Sequence, residues 1–327
     1  MSGLAGHTLY ALLALHQARD WTPSIVPLLK RHQASYLAGA YIGSDIQVMP
    51  EAVCVDTGKE FGFGTVPATE SPFTGGPVRP WYFEHGGSRY RPTDIHRLFY
   101  GRSHLVFGWP KETEGLKVSW DALADYAACV IKDWKSSNHA DESGLAWIFG
   151  WLVHVVSDAM IKSKQPGLTM HLVDGLYTPR NRPIQDLFAF HQIGVAELKI
   201  DWQATFESMA QTPVEAVQLH YMRIRSLGPA LPNAFPNGWD AQRQGLLEAI
   251  LRENRRWLRQ HTSDVLGEMK LETVAGKLMP SPQIRQWTRE LDYTEIVNLA
   301  ERAGIRDTLR QISQEVVNMF DHVLAEL

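Results

Sequence analysis

Apolar residues recur at helical spacing through most of the chain. Leu9, Leu12 and Leu13 share one face, His16 continues the stripe, and together they predict a helix over 7–19. A second helix is expected over 23–38, with Pro23 near its first turn. The small-residue run Ala38-Gly-Ala-Tyr-Ile-Gly-Ser-Asp45 then predicts a break in regular structure. Beyond Ser119 helical periodicity returns over 119–135, 142–163, 183–209, 212–226, 240–271, 281–302 and 305–326. In the longest of these, Leu246, Leu247, Ile250, Leu251 and Leu258 line one face. No β-hairpin, internal repeat or low-complexity tract is legible. The expected class is all-α: a single large multi-helix domain, with a metal-binding helical core over about 5–230 and a C-terminal helical extension over about 240–327.

Residues 50–118 differ from the rest. Gly, Pro, Ser and aromatics dominate, as in Phe61-Gly-Phe-Gly64 and Gly75-Gly-Pro-Val-Arg-Pro-Trp81. Unstructured loops of this length are uncommon in compact domains unless they serve binding or closure. Phe61, Phe63, Trp81, Tyr82 and Phe83 argue against disorder, so the segment reads as an ordered lid or pocket wall.

Composition narrows the function classes. With 327 residues, 44% of them hydrophobic, and eleven Trp, the chain has ample material for a large core. A net charge of -4 lacks the basic surface that an extended nucleic acid needs. Cys54 and Cys129 do not form a metal-finger pair and read as reduced core thiols. The first residues lack the pattern of a secretory signal, so cytoplasmic location is expected. The longest apolar stretch, Leu145 to Val156, is too short to span a membrane, is interrupted by His154 and is followed by Asp158.

Those polar groups carry the chemistry. His154 and Asp158 stand four residues apart in an otherwise apolar helix and so point the same way. An unpaired carboxylate is costly to bury, and a divalent cation would satisfy both side chains together. A plain His–Asp hydrogen bond within a core helix is the structural alternative. Taken singly, His7 reads as a helix-start residue, Asp45 as a turn or cap residue, and His96 and His104 as surface histidines.

Their order carries more than each alone. An early His, an Asp after a Gly-rich break, a His after a loop, and a helical His-x-x-x-Asp resemble the zinc-dependent phospholipase C and S1/P1 nuclease superfamily, over roughly residues 5–200. The resemblance implies zinc ligands at His7, Asp45, His96, His154 and Asp158, with Asp158 bridging two ions. His104 competes with His96 for its place. A third ion would take His171 and His191 as the nearest substitutes for the family's later ligands, although position 195 is Val where the family has a carboxylate. The family's N-terminal Trp has no counterpart here, where the chain begins with Met1. The activity implied is hydrolysis of a phosphoric ester by metal-activated water, on a small-molecule or phospholipid-type substrate, with Asp45 as base. The alternatives are a metal-dependent tailoring enzyme acting on a non-phosphate metabolite and a non-enzymatic helical binding protein.

Overall fold

The computed structural model describes residues 3–42, 49–62, 70, 71, 74–99, 118–161, 182–223 and 241–327. The chain is mostly helical, with a few short strands. It opens with α1 (Leu4–Trp21), α2 (Val26–Arg31) and α3 (Gln33–Ile42). Strands β1 (Ala52–Cys54), β2 (Glu60–Phe61) and β3 (Val78–Pro80) follow, then β4 (Phe83–His85), β5 (Ser88–Tyr90) and α4 (Pro92–Phe99). Helices α5 (Leu123–Lys135) and α6 (Glu142–Ile161) precede α7 (Arg182–Phe188), which passes into a wide-wound π segment, Ala189–Glu197. Next come α8 (Trp202–Gln211), α9 (Glu215–Arg223) and α10 (Ala241–Glu268). The chain closes with β6 (Leu271–Val274), β7 (Lys277–Pro280), α11 (Pro282–Arg285), α12 (Tyr293–Arg302) and α13 (Ile305–Ala325).

Helix α6 is the centre of the fold. From Ala146 to Ile161 every residue is buried, and α1, α3, α5, α9 and α13 pack around it. It is the one described helix long and apolar enough to cross a membrane, and it lies inside the protein. One continuous core extends from Leu4 on α1 to Val323 on α13, so the C-terminal helices share their apolar interior with the N-terminal ones. Trp151 and Tyr126, Trp151 and Tyr221, and Phe149 and Phe320 make the large aromatic contacts about α6.

The closest helix pair is α3 with α6, and glycines make it possible. A Cβ on Gly39 would collide with the Trp147 carbonyl, and one on Gly150 with the Tyr36 carbonyl. Gly39 therefore does not break the chain, as its neighbourhood predicts, but lets α3 run on to Ile42 in backbone contact with α6. On α1 the buried face also differs from the expected one. Ala11, Ala14, Leu15 and Ala18 are buried, Leu12 and Leu13 half-buried, and His16 exposed. The small alanines admit α3, α6 and α13 closely, which hydrophobicity alone does not reveal.

The 50–118 segment carries strands that its composition conceals. β2-β1-β3 form an antiparallel sheet, and β4–β5 a hairpin pairing Phe83 with Tyr90 and His85 with Ser88. Gly86 and Gly87 both have positive φ, as a two-residue hairpin turn requires. Ala275 and Gly276 turn the β6–β7 hairpin in the same way. This hairpin takes the end of the helix expected over 240–271, which stops at Glu268. The helix expected over 183–209 is likewise divided. After the π segment Lys199 adopts a left-handed conformation, and Asp201 caps α8 by accepting from the Ala204 N–H.

Candidate metal centre

His154 and Asp158 lie one turn apart on α6, shut off from bulk solvent. Both are fully buried, with His154 Nε2 3.9 Å from Asp158 Oδ2. His7, from the first turns of α1, reaches the same carboxylate: its Nε2 is 3.5 Å from Asp158 Oδ1 and the residue is 1% exposed. The His7 and His154 rings stack with centroids 4.4 Å apart and planes within 16°. Ligand atoms of all three residues lie within 4.8 Å of one another.

The far side of each ring decides what faces the carboxylate. His154 Nδ1 lies 3.0 Å from the carbonyl of Ala40. Ala40 belongs to α3, whose backbone packs against Gly150 of α6. A carbonyl only accepts, so Nδ1 carries the hydrogen and Nε2 of the neutral ring keeps its lone pair. The Ser157 hydroxyl donates to the His154 carbonyl at 3.2 Å, which leaves its oxygen to accept from His7 Nδ1 at 3.4 Å. His7 Nε2 then also presents a lone pair, and it makes no hydrogen bond among the described residues. Histidine metal ligands are commonly oriented by such outer hydrogen bonds.

Two lone pairs converging on a buried carboxylate call for positive charge. Protonating both rings would stack two cations 4.4 Å apart, a repulsion of about 4 kcal/mol at an effective dielectric of 20. A single divalent ion would supply positive charge to both lone pairs and to the carboxylate at once. The donors lie near the spacing it needs: two atoms bound tetrahedrally to zinc at about 2.0–2.1 Å are separated by roughly 3.3 Å, against 3.5 Å between His7 Nε2 and Asp158 Oδ1 and 3.9 Å between His154 Nε2 and Asp158 Oδ2. The residues fit a divalent metal.

The other expected ligands are distributed differently. Asp45, His104 and His171 lie outside the described residues; His96 falls on α4, with its side chain outside them. His191, in the π segment, is not brought to the cluster. Its Nε2 donates to the Met269 carbonyl at 2.7 Å, and burial lowers its pKa. A cavity of about 220 Å³ does open within the 50–118 segment, lined by Glu60, Arg79, Trp81, Tyr82 and Arg89 among others, but none of the three clustered residues lines it.

Several neighbours of the cluster carry no local sequence signal. Tyr10 meets the His7 ring edge-on at 5.7 Å and accepts from Gln185 Nε2 at 2.6 Å. Tyr41 lies 6.1 Å from the His7 ring and joins its hydroxyl to His261 Nε2 at 2.7 Å. Burial, with the nearby Arg182 charge, pushes His261 down to about 4. Burial raises Asp186 to about 6 against the opposing pull of Arg182 and the Gly3 N–H. Glu268 rises to about 7, chiefly by burial, with Arg182 opposing and Asp264 and Asp186 adding to the rise. His261 and Glu268 sit in a helix whose sequence reads as an ordinary amphipathic one, and only the three-dimensional packing sets them apart.

Scanned against protein-family models, curated proteins and solved structures, the chain matches none.

Proposed function

We propose that the protein is a metal-dependent hydrolase of a phosphoric ester, with zinc held by His7, His154 and Asp158. The observation that supports this reading is the buried meeting of two imidazoles and one carboxylate from α1 and α6, each imidazole oriented from behind. When bound, zinc supplies acidification of water to near-neutral pKa and neutralisation of charge developing on phosphate oxygens.

The chain's own part is to hold that chemistry in place. Asp158 offers a carboxylate with two oxygens facing different histidines, Oδ1 toward His7 and Oδ2 toward His154. This suits a bridging ligand and is the feature of the site nearest to the family resemblance. Ala40 and Ser157 fix the imidazoles, and the apolar wall of α6 excludes bulk water. Asp45, three residues after Ile42 in sequence, is the proposed proton acceptor; any second or third ion would draw on Asp45 and on the histidines outside the described residues. The substrate proposed is a small phosphoric ester or a phospholipid, and the location the cytoplasm.

The test is turnover of a panel of phosphomonoesters and phosphodiesters by zinc-loaded protein, with chelated protein as control. Chelator-sensitive release of product from at least one ester is expected. Zinc-loaded protein inert toward all of them would overturn the phosphoesterase reading and favour the tailoring-enzyme alternative.

A further inference from the structure

The C-terminal extension reaches the metal centre through one side chain. His261, two turns before the end of α10, meets the Tyr41 hydroxyl through Nε2 at 2.7 Å, and the two ring planes are parallel to within 1°. Tyr41, on α3, is 5% exposed. Its neighbour Ala40 offers the carbonyl that orients His154, and its own ring lies against His7. One turn of backbone thus touches both imidazoles, from different sides. The Tyr41–His261 hydrogen bond spans 220 residues of sequence and supplies a fixed point from another helix.

The geometry points to His261 as a positioning residue for the metal centre: by holding the Tyr41 hydroxyl it fixes this turn of α3, and with it both the Ala40 carbonyl behind His154 and the ring packed on His7. This rests on the metal-binding reading proposed above. His261 touches neither imidazole, so its effect passes entirely through Tyr41. The hydrogen bond forms with either partner as donor, and a glutamine at 261 offers both a donor and an acceptor at similar reach.

The test compares zinc affinity, by competition with a chromophoric chelator, for the wild type, Tyr41→Phe, His261→Ala, His261→Gln and the Tyr41→Phe/His261→Ala double variant. The cobalt-substituted absorption spectrum of each reports ligand geometry at the centre. Loss of an outer-shell partner commonly weakens metal binding by about 10- to 100-fold, and that range is expected for Tyr41→Phe and for His261→Ala, with an altered cobalt spectrum. The double variant should be no weaker than the weaker single one, because one hydrogen bond is lost in each. His261→Gln should return affinity to within a few-fold of wild type. Tyr41→Phe removes only a hydroxyl and keeps the ring, so it reports even if His261→Ala does not fold. Wild-type affinity and spectrum in folded Tyr41→Phe would overturn the positioning role alone. A wild type that binds no zinc would overturn both this role and the metal-binding reading.

Discussion

His154 Nδ1 and the carbonyl of Ala40 stand 3.0 Å apart, and this contact turns the opposite nitrogen of the ring toward Asp158. It joins the end of one helix to the middle of another and converts a buried histidine into a directed lone pair. Asp158 is the group on which that lone pair and the one from His7 converge, so its removal should uncouple metal from stability. Ligand binding to the native state stabilises by about 4 kcal/mol at a thousandfold excess over Kd. Added zinc should therefore raise the melting temperature of the wild type by several degrees and leave Asp158→Ala unmoved. An equal zinc-induced rise in both, measured by scanning calorimetry, would remove Asp158 from the site.

The α3–α6 contact makes a prediction opposite in sign to helix propensity. Glycine to alanine in an exposed helix gains about 1 kcal/mol. At Gly150 the new methyl would meet the Tyr36 carbonyl, and at Gly39 the Trp147 carbonyl, neither of which can rotate away. Overpacking costs about 1–3 kcal/mol, so Gly150→Ala should be destabilised by about 2 kcal/mol in denaturant titration and, by spreading α3 from α6, should weaken metal binding. A stabilised Gly150→Ala variant would show that the two helices are not in rigid backbone contact.

Glu268 gives a pH dependence. Its carboxyl is raised from the ordinary 4.5 to about 7, so between those values the folded protein holds a proton that the unfolded chain has released. Stability then falls as pH rises through this window. Glu268→Gln removes that dependence. The melting temperature of the variant relative to wild type should climb steadily from pH 4.5 to 7 and level off above. A difference that is flat, or that declines with pH, would contradict the raised carboxyl.

Asp45 tests the division of labour between binding and proton transfer. General-base catalysis contributes about 10²- to 10⁴-fold. On any ester turned over by the wild type, Asp45→Asn should lose at least about a hundredfold in kcat, with the far-ultraviolet circular dichroism unchanged. Equal activity would leave the hydrolase reading standing and take the base role from Asp45.

The helices were legible where apolar spacing was strong. α13 keeps both of its expected limits to within a residue, and α5 ends and α6 begins where expected, because each buries a long apolar surface. The pair His154 and Asp158 was legible for the same reason, as two polar groups in a stripe that tolerates none. The short strands were not, because their signal lies in glycine pairs such as Gly86-Gly87 and in only three or four paired residues on either side. Gly39 was misleading: the absence of a side chain marks a turn and a close helix crossing alike, and only the partner carbonyl of Trp147 distinguishes them. Tyr41 and His261 had no pattern to betray them, since their relation spans 220 residues.

The central claim is that His7, His154 and Asp158 hold a divalent ion, and the metal content of the protein tests it most directly. Wild-type protein purified without chelator should carry at least one zinc per chain by native mass spectrometry and elemental analysis, lose it to a strong chelator and recover it on reconstitution, while Asp158→Ala carries none. Wild-type protein that is folded, free of transition metal as purified and unable to take up zinc would contradict the claim, and would leave the cluster a buried His–Asp–His hydrogen-bonding group within a helical core.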